Sequence, residues 1–173
     1  VGVESGTVKG TIRVGGLVGR TMYAEIINCF SKADVSGSND VGGLIGMFNN
    51  SDLYNSYTWG KVEASGVTAG GLLGGANRSI DPAYESNVAN CYTRATVSGG
   101  SNVGVLIGYD ESAAGYVTNY GQLYYPEESQ MAPVGNNTIA TVQGISAADF
   151  ADGTLMDLLN AQRQEDWSVW VSG

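Results

Sequence analysis

A chain of 173 residues with 26 glycines and only three prolines has room for one domain or a short array of stacked repeats, and glycine at about twice ordinary usage implies many tight turns. Seventeen acidic against eight basic residues give a net charge of −9, and the basic residues are scattered singly, which excludes a phosphate-binding basic patch and argues against nucleic acid as a partner. Histidine is absent, removing the commonest general base and transition-metal ligand, and no apolar run reaches bilayer length, so no membrane insertion of this segment is expected.

In chain order, residues 1–13 read as the tail of a repeat, because Val8 and Gly10 stand 27 positions before Val35 and Gly37. Beginning at Val1 without a methionine or leader, the chain is expected to be an excerpt or mature product of a longer protein. A glycine box follows, VGGLVG at Val14–Gly19. It returns as VGGLIG at Val41–Gly46, AGGLLG at Ala69–Gly74 and VGVLIG at Val103–Gly108, at intervals of 27, 28 and 34. The repeat residues are thus Gly15, Gly16, Leu17 and Gly19; Gly42, Gly43, Leu44 and Gly46; Gly70, Gly71, Leu72 and Gly74; and Gly104, Leu106 and Gly108. The long third interval contains a polar insertion, NRSIDPAYES, at 77–86.

A second block keeps the same beat. Asn28, Asn55 and Asn90 are each followed two residues later by an aromatic (Phe30, Tyr57, Tyr92) and seven residues later by a valine (Val35, Val62, Val97). Asn119 and Tyr120 look like a fading further copy.

A 27-residue period without helical spacing or a leucine-rich pattern predicts one rung of a β-solenoid, with three sides of about five residues. The expected fold is all-β: a parallel β-solenoid, or β-helix, of about four rungs over residues 1–125, followed by a linker and capping segment at 126–173. Equivalent residues then stack about 4.8 Å apart. Leu17, Leu44, Leu72 and Leu106 form one interior column, and Val8, Val35, Val62 and Val97 another. The box glycines are expected to give corners with positive φ, and the asparagines to form a side-chain ladder at left-handed corners. Cys29 and Cys91 fall at equivalent positions two rungs apart, about 9–10 Å, too far for a disulfide, and are expected to be reduced and buried.

The Gly-Gly-Leu-apolar-Gly box resembles the GLUG motif of bacterial cell-surface and secreted proteins, many of them adhesin-like. VGGLVG, VGGLIG and AGGLLG fit fully, whereas VGVLIG has Val105 in place of the second glycine. The resemblance spans about Val8 to Tyr125 and implies an extracellular or surface-exposed, non-catalytic array belonging to a larger protein. It supplies no ligand and no catalytic residue.

Beyond the repeats, residues 143–162 predict a short helical pair with Ser146 and Asp149 as a capping box and Phe150, Leu155, Leu158 and Leu159 as its apolar face. WSVWV, Trp167 to Val171, alternates like a strand. This segment is expected to cap the solenoid's open end or to lead into a following domain.

Alternation after each asparagine puts Cys29, Ser31, Ala33 and Val35 on one face, and Phe30, Lys32 and Asp34 on the other. The outer column then holds Phe30, Tyr57 and Tyr92 beside Lys32, Trp59 and Arg94. Tyr57, Trp59, Tyr92 and Arg94 are the candidate ligand-binding residues, for a host glycan or a surface protein. A corner that breaks the alternation would instead turn the rings inward as core.

Catalysis has little support. Asp34 aligns with Lys61 and Thr96, so no acidic column forms; Asp40 and Asp52 suit turns; Asp110 and Glu111 would point apart. Asp81, Glu85 and Arg78 in the insertion are the remaining cluster for a polysaccharide-acting enzyme. No calcium-loop or phosphate-loop spacing occurs, so neither metal nor cofactor is expected. The functional expectation is adhesion or display, with a passive spacer as the alternative.

Overall fold

The computed structural model describes residues 1–76, 81, 83–111 and 118–171. Five short strands recur in fixed order along it. The first set is β1 (Gly2–Val3), β2 (Thr7–Lys9), β3 (Ile12–Gly15), β4 (Val18–Arg20) and β5 (Glu25–Ile27); the second is β6 (Phe30–Ser31), β7 (Asp34–Gly37), β8 (Asn39–Gly42), β9 (Ile45–Phe48) and β10 (Asp52–Tyr54). The third is β11 (Tyr57–Thr58), β12 (Lys61–Ala64), β13 (Thr68–Gly70), β14 (Leu73–Ala76) and β15 (Ser86–Ala89); the fourth is β16 (Cys91–Thr93), β17 (Thr96–Gly99), β18 (Asn102–Gly104), β19 (Ile107–Asp110) and β20 (Thr118–Tyr120). Two further strands, β21 (Leu123–Pro126) and β22 (Val142–Ile145), precede helices α1 (Ala147–Asp152) and α2 (Thr154–Gln162).

Each strand pairs in parallel with its counterparts in the neighbouring sets, giving five parallel sheets wound as a β-helix. The register is the one the repeats dictate: Val8 pairs with Val35, Val35 with Val62, and Val62 with Val97. Gly15, Gly42, Gly70 and Gly104 line up likewise. A circuit therefore has five short sides, where three longer ones are expected from strand length alone. The extra corners fall at the glycine boxes and at residues held in the left-handed region, which interrupt any run of five extended residues.

Two apolar columns fill the coil. Leu17 N donates to Leu44 O, Leu44 N to Leu72 O and Leu72 N to Leu106 O, at 2.8–3.1 Å. The side chains of Leu44, Leu72 and Leu106 are wholly buried, a burial worth about 1.5–3 kcal/mol each. Val35, Val62 and Val97 build the second column, with Val8 packed against it.

The box glycines do not have positive φ. That conformation belongs to Gly6, Gly60, Gly99, Gly100 and Gly153, and to Arg13, Tyr23, Asn28, Asp40, Asn50, Asn55 and Asn90. The boxes use glycine for close approach instead. A Cβ on Gly15, Gly42, Gly70 or Gly104 would press into the carbonyl oxygen of Val18, Ile45, Leu73 or Ile107 respectively. One on Gly16, Gly43 or Gly71 would meet the next coil's box carbonyl and the Ser31, Thr58 or Thr93 side chain across the coil.

The asparagine ladder is present. Asn28, Asn55 and Asn90 have φ of 55°, 48° and 55°. Asn90 Nδ2 donates to Asn55 Oδ1 at 2.8 Å, and Asn55 Nδ2 donates to Asn28 Oδ1. Asparagine tolerates the left-handed corner that costs most residues about 1–2 kcal/mol. Both cysteines are free; Cys91 is buried, whereas Cys29 is only half-buried, with just the N-terminal Val1 beyond it, whose amine lies 3.8 Å from its Sγ.

The array continues past its last recognisable box. Val105, Leu106 and Ile107 donate backbone hydrogen bonds to Ala132 and Pro133, and Ile107 bridges Val134. β22 adds to the edge of β21, with Tyr124 opposite Gln143. The copy around Asn119 is real but displaced: Asn119 pairs with Asn87, not Asn90, and donates to its Oδ1 at 3.2 Å.

Candidate functional site

The alternation after each asparagine holds. Ser31, Thr58 and Thr93 are wholly buried inside the coil, and their neighbours Phe30, Tyr57 and Tyr92 stack on the outer side. Phe30 and Tyr57 have centroids 5.1 Å apart and planes 9° apart; Tyr57 and Tyr92 are 5.0 Å and 2° apart. Such stacking follows from parallel register, which sets equivalent side chains one strand spacing apart.

These outward rings are covered by the chain's own C-terminal segment. Tyr92 and Tyr124 form one buried cluster with Ile145, Leu155 and Leu159, against which Tyr57, Phe150, Met156 and Trp170 pack. Helix α1 begins at Ser146, whose Oγ accepts from Asp149 N at 3.1 Å, and Gly153, at φ 95°, turns the chain into α2. Beyond α2 the tail is not a strand. Trp167 stacks on Tyr54, and Trp170 packs on Tyr57 and Tyr92. Between them, Ser168 N donates to Asn28 Oδ1 and Ser168 O accepts from Asn55 Nδ2, both at 3.0 Å. Asn160 clamps the tail to α2 by exchanging hydrogen bonds with the Trp170 backbone. Residues 132–134 and β22 thus pair with the last coil, and the helices and tail beyond them cover the aromatic side of the coil.

Where cover and column part, they leave a groove of about 470 Å³. Tyr57, Trp59, Tyr92 and Arg94, the four candidate binding residues, all line it, together with Lys32, Phe150, Met156 and Trp170. Trp59 is 44% exposed. The Arg94 guanidinium carbon lies 4.5 Å from the centroid of the Trp59 ring and 4.9 Å from that of Phe150, a cation against two aromatic rings. Lys32 pairs with Glu4 at 3.0 Å and lies over Phe30. The hydrogen bond it donates to Glu4 holds its ammonium above the ordinary lysine range. Burial raises both the Tyr57 and Tyr92 phenols, so they stay protonated donors at neutral pH.

Asp34, Asp40, Asp52 and Asp81 each hold hydrogen bonds of their own. Asp34 accepts from Lys61 N, and Asp40 from Thr68 Oγ1 at 2.9 Å. Asp52 accepts from the Asn87 amide and side chain. Asp81 accepts from Ala83 N at 2.9 Å, and its carbonyl accepts from Asn50 Nδ2. Arg78, the proposed partner of Asp81 and Glu85, lies outside the described residues, as do Asn77 and Pro82 of the same insertion. Among the described residues, no group of three His, Cys, Asp or Glu side chains is placed to hold a metal.

The box geometry and the ladder together bear on kinship. Residues 10–36 carry the GLUG motif. That stretch runs from Gly10 through the first GLUG box to Ser36, and the later boxes superpose on it in register. No curated protein sequence matches the chain. A crystal structure of a candidate immunoglobulin A1 protease from Bacteroides ovatus is similar over 91% of this chain, with a TM-score of 0.65 and 24% identity. The chain spans half the length of that solved chain, and at this identity the likeness bears on fold alone.

The repeat pattern points to Tyr57, Trp59, Tyr92 and Arg94 on the coil's side of the groove but not to Phe150, Met156 and Trp170 opposite. The density of tryptophan in the tail was the available signal; a chain with three tryptophans places two of them within Trp167–Trp170.

Proposed function

We propose that this chain is a non-catalytic β-helix module of about four coils, part of a longer secreted or surface-displayed bacterial protein, which serves adhesion by holding a host glycan or surface protein in the groove. Residues 1–125 act as the coil and 126–173 as linker and cover, with neighbouring domains of the parent chain beyond. The observation that carries this reading is the convergence of Tyr57, Trp59, Tyr92 and Arg94 on one groove. Flat rings with a polar rim suit sugar faces and protein edges. The GLUG motif supports a repeat module, and no cofactor has a part in it.

The groove's lining has no carboxylate, whereas glycoside hydrolysis takes a pair about 5–9.5 Å apart. That disfavours the remaining enzymatic reading of a polysaccharide-acting β-helix. A passive spacer is favoured by one observation: Tyr92 is only 7% exposed beneath the C-terminal segment. Screening the chain against immobilised glycans and host surface proteins separates the two. Adhesion predicts retention that falls with Trp59→Ala and Arg94→Gln. Retention of nothing, or retention indifferent to both substitutions, overturns it.

A further inference from the structure

Arg94 is exposed, and among the described residues no carboxylate pairs with it and no acceptor takes a hydrogen bond from its guanidinium. On a chain with seventeen acidic side chains this is unexpected. The acid nearest in surroundings, Glu128, shares a neighbouring depression with Arg94 but accepts from Ala147 N at 2.6 Å. The guanidinium lies against two rings, those of Trp59 and Phe150. Its N–H donors lie in one plane, the arrangement that receives a two-oxygen anion in bidentate fashion. The groove's other cation, Lys32, is already paired with Glu4, and no acidic side chain lines the groove, so Arg94 is its one uncompensated charge among the described residues.

We infer that the groove binds an anionic sugar residue, its carboxylate or sulfate on the edge of Arg94 and its ring against the exposed part of Trp59. This deepens the adhesive reading and rests on it. A sugar is favoured over an acidic peptide because Trp59 offers a flat, open ring beside the cation, and the groove's volume of about 470 Å³ suits one or two sugar units rather than an extended chain. Stacking on the ring supplies contact area, and the fork supplies selection for charge.

The test is calorimetric titration of the 173-residue chain with matched oligosaccharides ending in a uronic acid, a sialic acid, a sulfated sugar or a neutral sugar, and with a poly-glutamate peptide. Carboxylated or sulfated sugars should bind at least about ten-fold tighter than the neutral one, and the three anionic arms identify which group is preferred. Arg94→Gln should erase that preference, Arg94→Lys should restore it only in part, and Trp59→Ala should weaken all sugars alike, with circular dichroism unchanged throughout. Equal binding of neutral and acidic sugars, untouched by Arg94→Gln, overturns the anionic assignment while leaving the groove a binding site. Binding of poly-glutamate in preference to any sugar overturns the sugar assignment. No binding of any probe overturns this inference and the adhesive reading together.

Discussion

Tyr57 and Tyr92 stack with centroids 5.0 Å apart and ring planes only 2° apart, although a ten-residue insertion separates their repeats. The pair shows that the insertion leaves the register intact: Tyr57 opposes Tyr92 as it opposes Phe30. Of the insertion's described residues, Tyr84 meets the edge of Tyr23 at 5.6 Å, and Ser86 opens β15.

Removing one ring tests the column. Tyr92 lies between Tyr57 and the C-terminal cover, so Tyr92→Ala should cost about 3–5 kcal/mol in urea unfolding, whereas Tyr92→Phe should cost well under half of that. Equal losses for the two variants would mean that the hydroxyl, not the stacked ring, carries the stability.

Asn55 is the middle of its ladder, donating to Asn28 and accepting from Asn90 while holding φ at 48°. Asn55→Ala loses these two bonds, the third bond to Ser168 O and the conformational tolerance, for an expected loss of about 2–4 kcal/mol. Asn55→Gly loses the bonds alone and should be less damaging by about 1 kcal/mol. Thermal unfolding of the two variants side by side measures the difference.

Gly71 faces Val105 O and the Thr93 side chain of the next coil. Gly71→Ala should destabilise by about 3 kcal/mol or more, or prevent folding, and Thr93→Ala should not rescue it because the carbonyl remains. Gly153 has open space around it, and Gly153→Ala should cost only the strain of φ 95°. Soluble yield and melting temperature report both.

The Cys91 thiol is wholly buried, and burial pushes its pKa up to about 12, with the neighbouring Cys29 adding a little. A thiol of the unfolded chain ionises near 8.5–9, so between that pH and about 12 the unfolded state has lost a proton the folded state keeps. The resulting stability is complete below pH 9 and falls by up to about 1.4 kcal/mol per pH unit above it. Cys91→Ala should flatten that alkaline slope. At pH 8, a thiol reagent should label half-buried Cys29 in the native protein and Cys91 only after unfolding, and a non-reducing peptide map should contain no Cys29–Cys91 bridge.

The coil was legible because a repeat writes each interior column several times. Leu17, Leu44, Leu72 and Leu106 announce one another, and so do Asn28, Asn55 and Asn90. Contacts made once leave no such trace. Trp170 meets Tyr57 and Tyr92 from more than a hundred positions away in the first case, and nothing periodic links them. The WSVWV alternation suggested a strand, but Trp167 and Trp170, three apart, both turn toward the coil, so spacing misled where the partner was a row of rings rather than a strand edge. The last coil was hidden for another reason. Only Val134 and Gly135 of its box survive, and Gly135 alone repeats the close backbone approach, here to Gly108 and Val103.

The tail between Trp167 and Trp170 runs across the strands rather than along them, touching Asn28, then Asn55 and Tyr57, then Tyr92. A pull along the winding axis would otherwise peel one turn from the next, breaking a few hydrogen bonds at a time. Laced in this way, three successive turns resist together, and the stack fails as a unit once the lacing tears. The fastening that covers part of the aromatic column also stiffens the coil against being unwound.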